Sequence, residues 1–355
     1  ILVMDCTKVT RTAAALLLGM LKFDPKIKIA GVVLNHIAGS RHEKVVREAI
    51  EKYCGIPVVG AIPKLRGDHL SERHMGLTPF QEHPGVDKAI SAAAGIAGKY
   101  LDLDMVWNIA TSVSPLKAAV AEGQMRGKGR PDASGLRPEM SVRIGIIRDS
   151  AFQFYYPENF EELEKRGALL IEISALTTRK LPDVDALYIG GGFPETHAIA
   201  LAKNRAFRTS LKNAVAQGLP VYAECGGLMY LGEELVLDNK TYPMTGIFPL
   251  RFSLEKKPQA HGYTVVKVDT NNPFYEKGTV LKGHEFHYSA VRSLRKTPNM
   301  RFAFSMERGE GIAGKRDGIC VKNVLATYTH IHALGSPEWA EGMVKRAMEY
   351  RTGRR

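Results

Sequence analysis

The sequence predicts an α/β protein made of two doubly wound domains. Two observations support this fold class. In both halves of the chain, short apolar runs typical of buried strands alternate with helical segments, and this alternation favours parallel sheets flanked by helices. The chain also has 355 residues, 45% of them hydrophobic. That length exceeds one ordinary domain of about 150 residues, and that composition is sufficient for two cores.

The first 100 residues predict one domain with three strands and two helices. The strands are predicted at 1–5, 29–35 and 57–62, and the helices at 12–21 and 43–53. Because ILVMD at the start has the pattern of a strand already in progress, we expect residue 1 to be a truncation point.

Residues 101–141 predict a linker between the two domains. The stretch GQMRGKGRPDASGLRPEMS, which ends at Ser141, is rich in turn formers and lacks apolar periodicity. The net charge of +12 raises the question of a nucleic-acid partner. We expect none, because the basic residues are dispersed and suit a polyanionic small substrate equally well.

The second domain is predicted over 142–345. Strands are predicted at 142–149, 168–174, 184–190 and 219–225, and helices at 159–166 and 204–217. Further along, YTVVKV and RFAFSM alternate apolar and polar residues, which predicts antiparallel additions to the sheet.

No apolar run reaches the roughly 18–20 residues that a membrane span requires, and no signal peptide is recognisable. The four cysteines, at positions 6, 54, 225 and 320, are far apart and form no CxxC pair. This spacing predicts neither a disulfide framework nor a zinc site and fits a cytoplasmic protein.

Cys225 is the strongest candidate for a nucleophile. It stands between an apolar strand and a helix start in YAECGGLMY, which is the arrangement of a nucleophile elbow. The start of a helix favours a thiolate, and the N–H of Gly226 is placed to bind an oxyanion. A buried structural cysteine at a strand end is the alternative.

Two other features belong with Cys225. The glycines Gly190, Gly191 and Gly192 follow another apolar strand, where bare backbone N–H groups can face an oxyanion, although a tight turn would look the same. His330 ends a strand far downstream, as a general base can, although a lone histidine there could also be structural.

Five segments of the second domain carry a family resemblance. They are AFQFYYPEN at 151–159, GGGFPE at 190–195, AECGGLMYL at 223–231, GHEFHYS at 283–289 and ATYTHIH at 326–332. In this order and spacing they resemble the class I glutamine amidotransferase domain of the cobyric acid synthase and cobyrinate a,c-diamide synthase branch. The first and fourth strings point to the diamide synthases.

The resemblance implies roles for these residues. Cys225 would attack glutamine and release ammonia through a thioester, and His330 would carry the proton. The N–H groups of Gly191 or Gly192, and of Gly226, would hold the oxyanion. Many class I domains have a glutamate two residues after the histidine. Here His332 occupies that position, so it is the candidate for orienting His330, whose partner is otherwise unidentified.

The sequence leaves the roles of several neighbouring side chains undecided. His284 and His287 are either satisfied side chains of a polar strand or groups near the substrate's acids. Asp149, Phe154 and Tyr155 follow the first strand of the second domain at its carboxyl end, where open α/β sheets bind ligands.

The first domain contains no GxxxxGK[ST] loop. The rest of it resembles the P-loop family that includes dethiobiotin synthetase, which implies an incomplete P-loop ATPase-like domain whose Walker loop lies upstream of Ile1. By this resemblance Asn35 would read the adenine edge, and Pro63 would pack beside the base.

Two more residues of the first domain are assigned by position and resemblance. Asp5 ends the first strand, where an acid can hold Mg²⁺ or face an activated carboxylate. Arg73 lies in ERHMGL at 72–77, which matches a string of the diamide synthases, and would meet a phosphate or a substrate carboxylate.

The resemblance of both domains implies an enzyme that uses ATP, Mg²⁺ and glutamine to amidate a tetrapyrrole polycarboxylate. Cobyrinate, amidated at its a and c acetates, is the expected substrate. Sirohydrochlorin or its nickel complex is the alternative substrate, and a non-catalytic partner protein is the remote alternative. Whether the chain forms a homodimer is left open.

Overall fold

The computed structural model describes residues 1–65, 72–73, 76–77, 86–114, 141–295 and 297–354. The chain divides into two compact units, Ile1–Lys128 and Gly129–Arg355. Both combine strands with helices, and the predicted α/β class is confirmed. Within the described residues, no helix has the length and apolar character that a membrane crossing requires.

The first unit is built on a three-stranded parallel sheet in the order β1-β2-β3. Its described elements are β1 (Leu2–Asp5), α1 (Thr12–Phe23), β2 (Val32–Ile37), α2 (Ser40–Cys54), β3 (Val58–Pro63), β4 (Glu72–Arg73), β5 (Gly76–Leu77), α3 (Val86–Tyr100) and α4 (Leu103–Thr111). On α2, Val46, Ala49 and Ile50 are buried, because residues three and four apart share one helix face. They pack with Leu17 and Leu34 in a single core.

The predicted linker contains regular structure at its start, so that prediction is wrong for 103–111. Helix α4 begins there because the Asp102 side chain accepts the Met105 N–H at 2.9 Å, a favourable N-cap. The same segment joins the unit, since the Asp102 N–H donates to Val59 O at 2.8 Å. Positions 115–140 of the predicted linker lie outside the described residues.

The second unit contains a ten-stranded sheet in the order β19-β14-β13-β16-β17-β18-β9-β8-β6-β7 and a four-stranded sheet in the order β11-β10-β12-β15. Its strands are β6 (Val142–Ile147), β7 (Ala168–Ile173), β8 (Ala186–Ile189), β9 (Val221–Glu224), β10 (Glu234–Leu237), β11 (Lys240–Pro243), β12 (Leu250–Leu254), β13 (Ala260–Val268), β14 (Val280–His287), β15 (Ser289–Leu294), β16 (Arg301–Arg308), β17 (Arg316–Val321), β18 (Val324–Thr327) and β19 (His330–Ile331). Its helices are α5 (Pro157–Lys165), α6 (Ala198–Lys203), α7 (Arg205–Ala216), α8 (Gly226–Leu231) and α9 (Glu338–Gly353), so regular structure continues past the predicted domain end at 345.

The large sheet has a parallel part and an antiparallel part. β7, β6, β8, β9 and β18 run parallel to one another. From β18 onward, the pairs through β17, β16, β13, β14 and β19 are antiparallel, which confirms the prediction made from YTVVKV and RFAFSM. The chain passes from β18 to β19 within three residues, although these strands lie five places apart in the sheet order. The antiparallel part therefore curls back towards β18.

The central strands of the second unit are buried on both faces. Leu187 and Ile189 belong to one core and Tyr188 to the other, because successive side chains of a strand point to opposite faces. Helix α9 covers one face, with Trp339 lying 5.0 Å from the Tyr188 ring between centroids. Both faces are thus closed, and the accessible places are the strand ends, where β9 meets α8.

Candidate active site

Cys225 lies at the sharp turn between β9 and α8. Its backbone adopts φ 47° and ψ −99°, a conformation that residues other than glycine rarely adopt. The turn is held on both sides, since the Cys225 N–H donates to Thr327 O at 2.8 Å and its carbonyl accepts the Met229 N–H at 3.0 Å. This is the geometry of a nucleophile elbow.

Glycines surround the elbow because the backbones approach too closely for side chains. A Cβ at Gly226 would lie 3.0 Å from Gly192 N, and one at Gly192 would lie 2.2 Å from Ala151 O. A Cβ at Gly191 would lie 2.6 Å from Cε1 of His330. The structure therefore brings the three predicted oxyanion glycines together with the predicted base.

The N–H groups of Gly191 and Gly192 donate to no acceptor within the described part of the chain. Gly226 opens α8, and the first N–H groups of a helix have no partner inside it. These donors are therefore available to an oxyanion next to Cys225.

His330 lies on β19, opposite His284 of β14, and its side chain is 4% exposed. Its Nδ1 lies 3.2 Å from Glu224 Oε2, and its ring interacts with the Cys225 side chain. Burial alone would disfavour the imidazolium, but the hydrogen bonds to Cys225 and Glu224 and their negative charges outweigh it and raise the pKa of His330 to about 10. An imidazolium paired with a thiolate is the state that makes a cysteine nucleophilic.

Glu224 is the partner of His330 that the sequence did not identify. Its Oε2 lies 3.2 Å from His330 Nδ1 and accepts the Tyr188 hydroxyl at 3.2 Å, while Oε1 accepts the Ile331 N–H at 3.2 Å. Asn159 supports the same segment, donating to Ile331 O at 2.9 Å. The available signal was a charged residue at the end of an otherwise apolar strand, beside the nucleophile.

His332 does not stand behind His330, so its prediction as the orienting residue is wrong. Residues two apart on a strand share one face, but β19 ends at Ile331, so His332 is not held in that register. The His332 side chain is 38% exposed, with its Nε2 lying 3.6 Å from Glu158 and its ring against Tyr156, at 4.7 Å between centroids.

A second buried acid, Asp317, holds the segment between β18 and β19 and was also missed. Its carboxylate accepts the Thr327 hydroxyl at 2.6 Å, the Tyr328 N–H at 3.0 Å and the Thr329 N–H at 3.1 Å. The same segment supplies the Thr327 carbonyl that binds the Cys225 N–H. Asp317 therefore fixes the backbone from which His330 projects.

An aromatic wall closes the site on the side of β14. Phe154 contacts the His330 ring edge-on at 4.7 Å between centroids, and His284 stacks on it at 5.0 Å and 22°. Tyr156 Oη lies 3.3 Å from His284 Nδ1. Burial, together with the positive charge of His330, lowers the pKa of His284 to about 4, so His284 is neutral beside the cation.

The other residues whose roles the sequence left undecided lie around this aromatic wall. His287 stacks on Tyr328 at 3.6 Å, with its Nδ1 lying 2.8 Å from Ser289 O, so it packs behind the Thr327–Thr329 segment. Asp149 accepts the Ala151 N–H at 2.9 Å, and the Tyr155 hydroxyl accepts the Gly190 N–H at 2.8 Å. Tyr155 thus holds the start of the glycine loop at 190–192, and Asp149 holds the neighbouring segment at Ala151.

In the first unit, the structure brings Asp5, Asn35 and Pro63 to one edge of the parallel sheet. Asp5 and Asn35 are register partners, and Pro63 pairs with Ile37. The side chain of Arg73 lies outside the described residues, although its backbone forms part of β4.

His36 is an unpredicted neighbour at this edge. Its Nδ1 lies 3.1 Å from Asp5 Oδ1, which also accepts the Thr7 hydroxyl at 2.6 Å. Hydrogen bonds from Thr7 and His36 lower the pKa of Asp5 to about 2, so the acid is ionised. Within the described residues no group of three or more His, Cys, Asp or Glu side chains is placed to hold a metal.

Comparison with known proteins assigns both units. The family described as a CobB/CobQ-like glutamine amidotransferase domain matches residues 143–338, and the CobQ/CobB/MinD/ParA nucleotide binding domain matches residues 4–77. The cobyrinate a,c-diamide synthase of Archaeoglobus fulgidus is 40% identical over 349 residues, covering 98% of this chain and 73% of that protein. The chain belongs to the cobyrinate a,c-diamide synthase family.

Other relatives agree. The cobyrinate a,c-diamide synthase of Magnetococcus marinus is 39% identical over 96% of this chain and 71% of its own length, and that of Methanosarcina acetivorans is 37% identical over 100% and 73%. This cobyrinate a,c-diamide synthase family member therefore combines a nucleotide-binding domain with a glutamine amidotransferase domain, and it is an amidating ligase.

Proposed function

We propose that this enzyme uses ATP and glutamine to amidate the a and c acetate side chains of cobyrinate in cobalamin biosynthesis. The observation that carries the proposal is Cys225 at a strained strand-to-helix turn with the buried His330 interacting with it, in a chain whose relatives are cobyrinate a,c-diamide synthases. The net charge of +12 suits a substrate with many carboxylates.

Cys225 and His330 account for the release of ammonia. The Cys225 sulfur, having given its proton to His330, attacks the side-chain amide carbon of glutamine, and the N–H groups of Gly191 or Gly192 and of Gly226 stabilise the oxyanion. His330 then donates its proton to the amide nitrogen as the carbon–nitrogen bond breaks. Water, activated by His330, cleaves the resulting thioester to glutamate and restores the thiol.

Ammonia does not displace oxygen from an unactivated carboxylate, and ATP, when bound, supplies the phosphoryl group that activates it. The edge of the sheet with Asp5, Asn35 and Pro63 fits a nucleotide. Asn35 Oδ1 accepts the His36 N–H at 3.0 Å, which leaves its amide N–H groups to donate to an adenine edge, and Pro63 would pack beside the base.

Asp5 fits Mg²⁺ as one ligand among several. Its carboxylate is ionised and its side chain is 65% exposed, and Mg²⁺ is usually held by one or two carboxylates together with phosphates and water. Arg73 would bind a phosphate or a substrate carboxylate. We place the reaction in the cytoplasm, where the Cys225 thiol stays reduced.

A comparison of two nitrogen donors tests the proposal. Purified full-length protein would be offered cobyrinate and sirohydrochlorin in parallel, with ATP and either glutamine or ammonium, and the products followed by mass spectrometry. Cys225→Ala should abolish the glutamine-dependent reaction and retain the ammonium-dependent one, while Cys54→Ala, which makes the same change in the first unit, should retain both. Normal glutamine hydrolysis by Cys225→Ala would refute the assignment, and amidation of sirohydrochlorin alone would refute the substrate.

A further inference from the structure

Glu224 and Cys225 are bound to the two nitrogens of one imidazole. Glu224 Oε2 lies 3.2 Å from His330 Nδ1, which leaves Nε2 as the ring nitrogen that can exchange a proton with Cys225, the other group that interacts with the ring. The carboxylate therefore lies behind the ring, on the side away from the sulfur. The two partners are consecutive residues, since Glu224 ends β9 and Cys225 follows it at the turn.

Water is nearly excluded from this contact. The side chains of His330 and Glu224 are 4% and 2% exposed, so solvent screens the attraction between carboxylate and imidazolium only weakly. Within the described residues, the Glu224 carboxylate accepts hydrogen bonds from the Tyr188 hydroxyl and the Ile331 N–H and is bonded to the His330 ring. This is an environment built to hold a negative charge.

We infer that Glu224 is the positioning residue of the glutaminase site: it fixes the ring orientation of His330 and stabilises the imidazolium that forms when Cys225 gives up its proton. The inference rests on the proposed glutamine hydrolysis and deepens it. The carboxylate thus comes from the residue before the nucleophile, whereas the position two residues after the base holds a partly exposed histidine.

The proton route is short. The Cys225 thiol proton moves to His330 Nε2, the resulting positive charge is shared with Nδ1–H, and Nδ1–H donates to Glu224. The same Nε2 proton then leaves with ammonia, so Glu224 gains and loses no proton. A carboxylate acting in this way lowers the barrier by charge and by orientation, as in other triads.

Two substitutions separate charge from shape. Glu224→Gln keeps the size and removes the charge, whereas Glu224→Asp keeps the charge and withdraws it by one methylene. Tyr188→Phe is the matched control, since it removes a neutral donor from the same carboxylate. For Glu224→Gln, the kcat of glutamate release should fall by about 10²–10⁴-fold, while KM should change by no more than about threefold. For Tyr188→Phe, kcat should fall by less than about fivefold.

The pKa of His330 can be measured by NMR with ¹⁵N-labelled histidine. A merely structural role of Glu224 would leave this pKa unchanged. The groups facing the ring are Cys225 and Glu224 at the end of β9 and His284 of β14. Glu224→Gln removes the negative charge beside the ring. The pKa of His330 should therefore fall by about one unit or more, which is at least about tenfold in proton affinity. It should move less in Glu224→Asp.

These two measurements decide whether Glu224 positions His330 or has only a structural role. A Glu224→Gln enzyme with kcat within threefold of the original overturns the inference, and so does a large loss of kcat with an unmoved His330 titration. If Glu224→Gln does not fold, as judged by circular dichroism, an unmoved titration and unchanged kcat in Glu224→Asp overturn it. Because the titration needs no glutamine, an original chain that hydrolyses no glutamine would refute the proposed function separately.

Discussion

Gly192→Ala tests whether the glycine loop supplies an oxyanion donor. The added Cβ would lie 2.2 Å from Ala151 O, 2.8 Å from Phe152 Cα and 2.9 Å from Ala151 C. All three are backbone atoms, which cannot swing aside as a flexible side chain would. Contacts of Cβ below 3.0 Å are essentially never seen, so the loop must shift by about 0.8 Å, the difference between 3.0 and 2.2 Å.

That shift is large compared with the tolerance of an oxyanion site. Donors must lie about 2.7–3.1 Å from the oxyanion, and losing one donor costs about 10²–10³-fold in kcat, or about 2.7–4 kcal/mol of transition-state stabilisation. Gly192→Ala should therefore lower kcat for glutamate release by about 10²–10³-fold with little change in KM, because the donor acts mainly in the transition state.

Gly98→Ala is the matched control, because a Cβ there would meet nothing within 4 Å. It lies inside α3, where alanine is the better helix former by about 0.5–1 kcal/mol, so activity should be unchanged. Glutamate release would be measured for both variants, with thermal unfolding as the check on folding. If folded Gly192→Ala kept kcat within threefold, the loop would not be an oxyanion site.

Two further predictions concern the histidines. His330→Ala should lower glutamate release by about 10²–10⁴-fold, whereas His332→Ala should stay within about threefold, because the partly exposed His332 side chain lies against Tyr156 and Glu158 and not against His330; the opposite ranking in a glutaminase assay would mean that the base is assigned to the wrong residue. For the pH dependence, the pKa of His330 is raised from 6.5 to about 10, so the imidazolium persists through neutral pH and is lost as pH rises through about 10. Activity should therefore hold at mildly alkaline pH and fall as pH approaches 10, and a fall centred near the ordinary histidine pKa would contradict the pairing with Cys225 and Glu224.

Much of the site could be predicted because its parts are local. An apolar strand followed by Cys-Gly-Gly indicates the turn at Cys225, and the positions of Asp5, Asn35 and Pro63 follow from the rule that parallel strands end at one edge. In the structure Asp5 and Asn35 are register partners, and the binding roles of Asp5, Asn35 and Pro63 stay predictions.

The partners of His330 could not be predicted because they depend on how distant strands pack. The choice between Glu224 and His332 depends on β19 ending at Ile331, and two-residue strands leave no alternation to read. Asp317 lies on β17 and acts on a segment ten to twelve residues later, across the pairing of β17 with β18. Helix α4 was missed because it spans only Leu103–Thr111 and borders a stretch without apolar periodicity.

The brevity of β19 has a consequence for the durability of the site. A two-residue strand at the margin of a sheet has few backbone hydrogen bonds, and such segments open locally at far lower cost than the core. Here the Ile331 N–H is bonded to the Glu224 carboxylate, so the same acid fastens the strand end and the base to β9. The energy of local opening, rather than the stability of the whole domain, thus sets the fraction of molecules in which the base is in place.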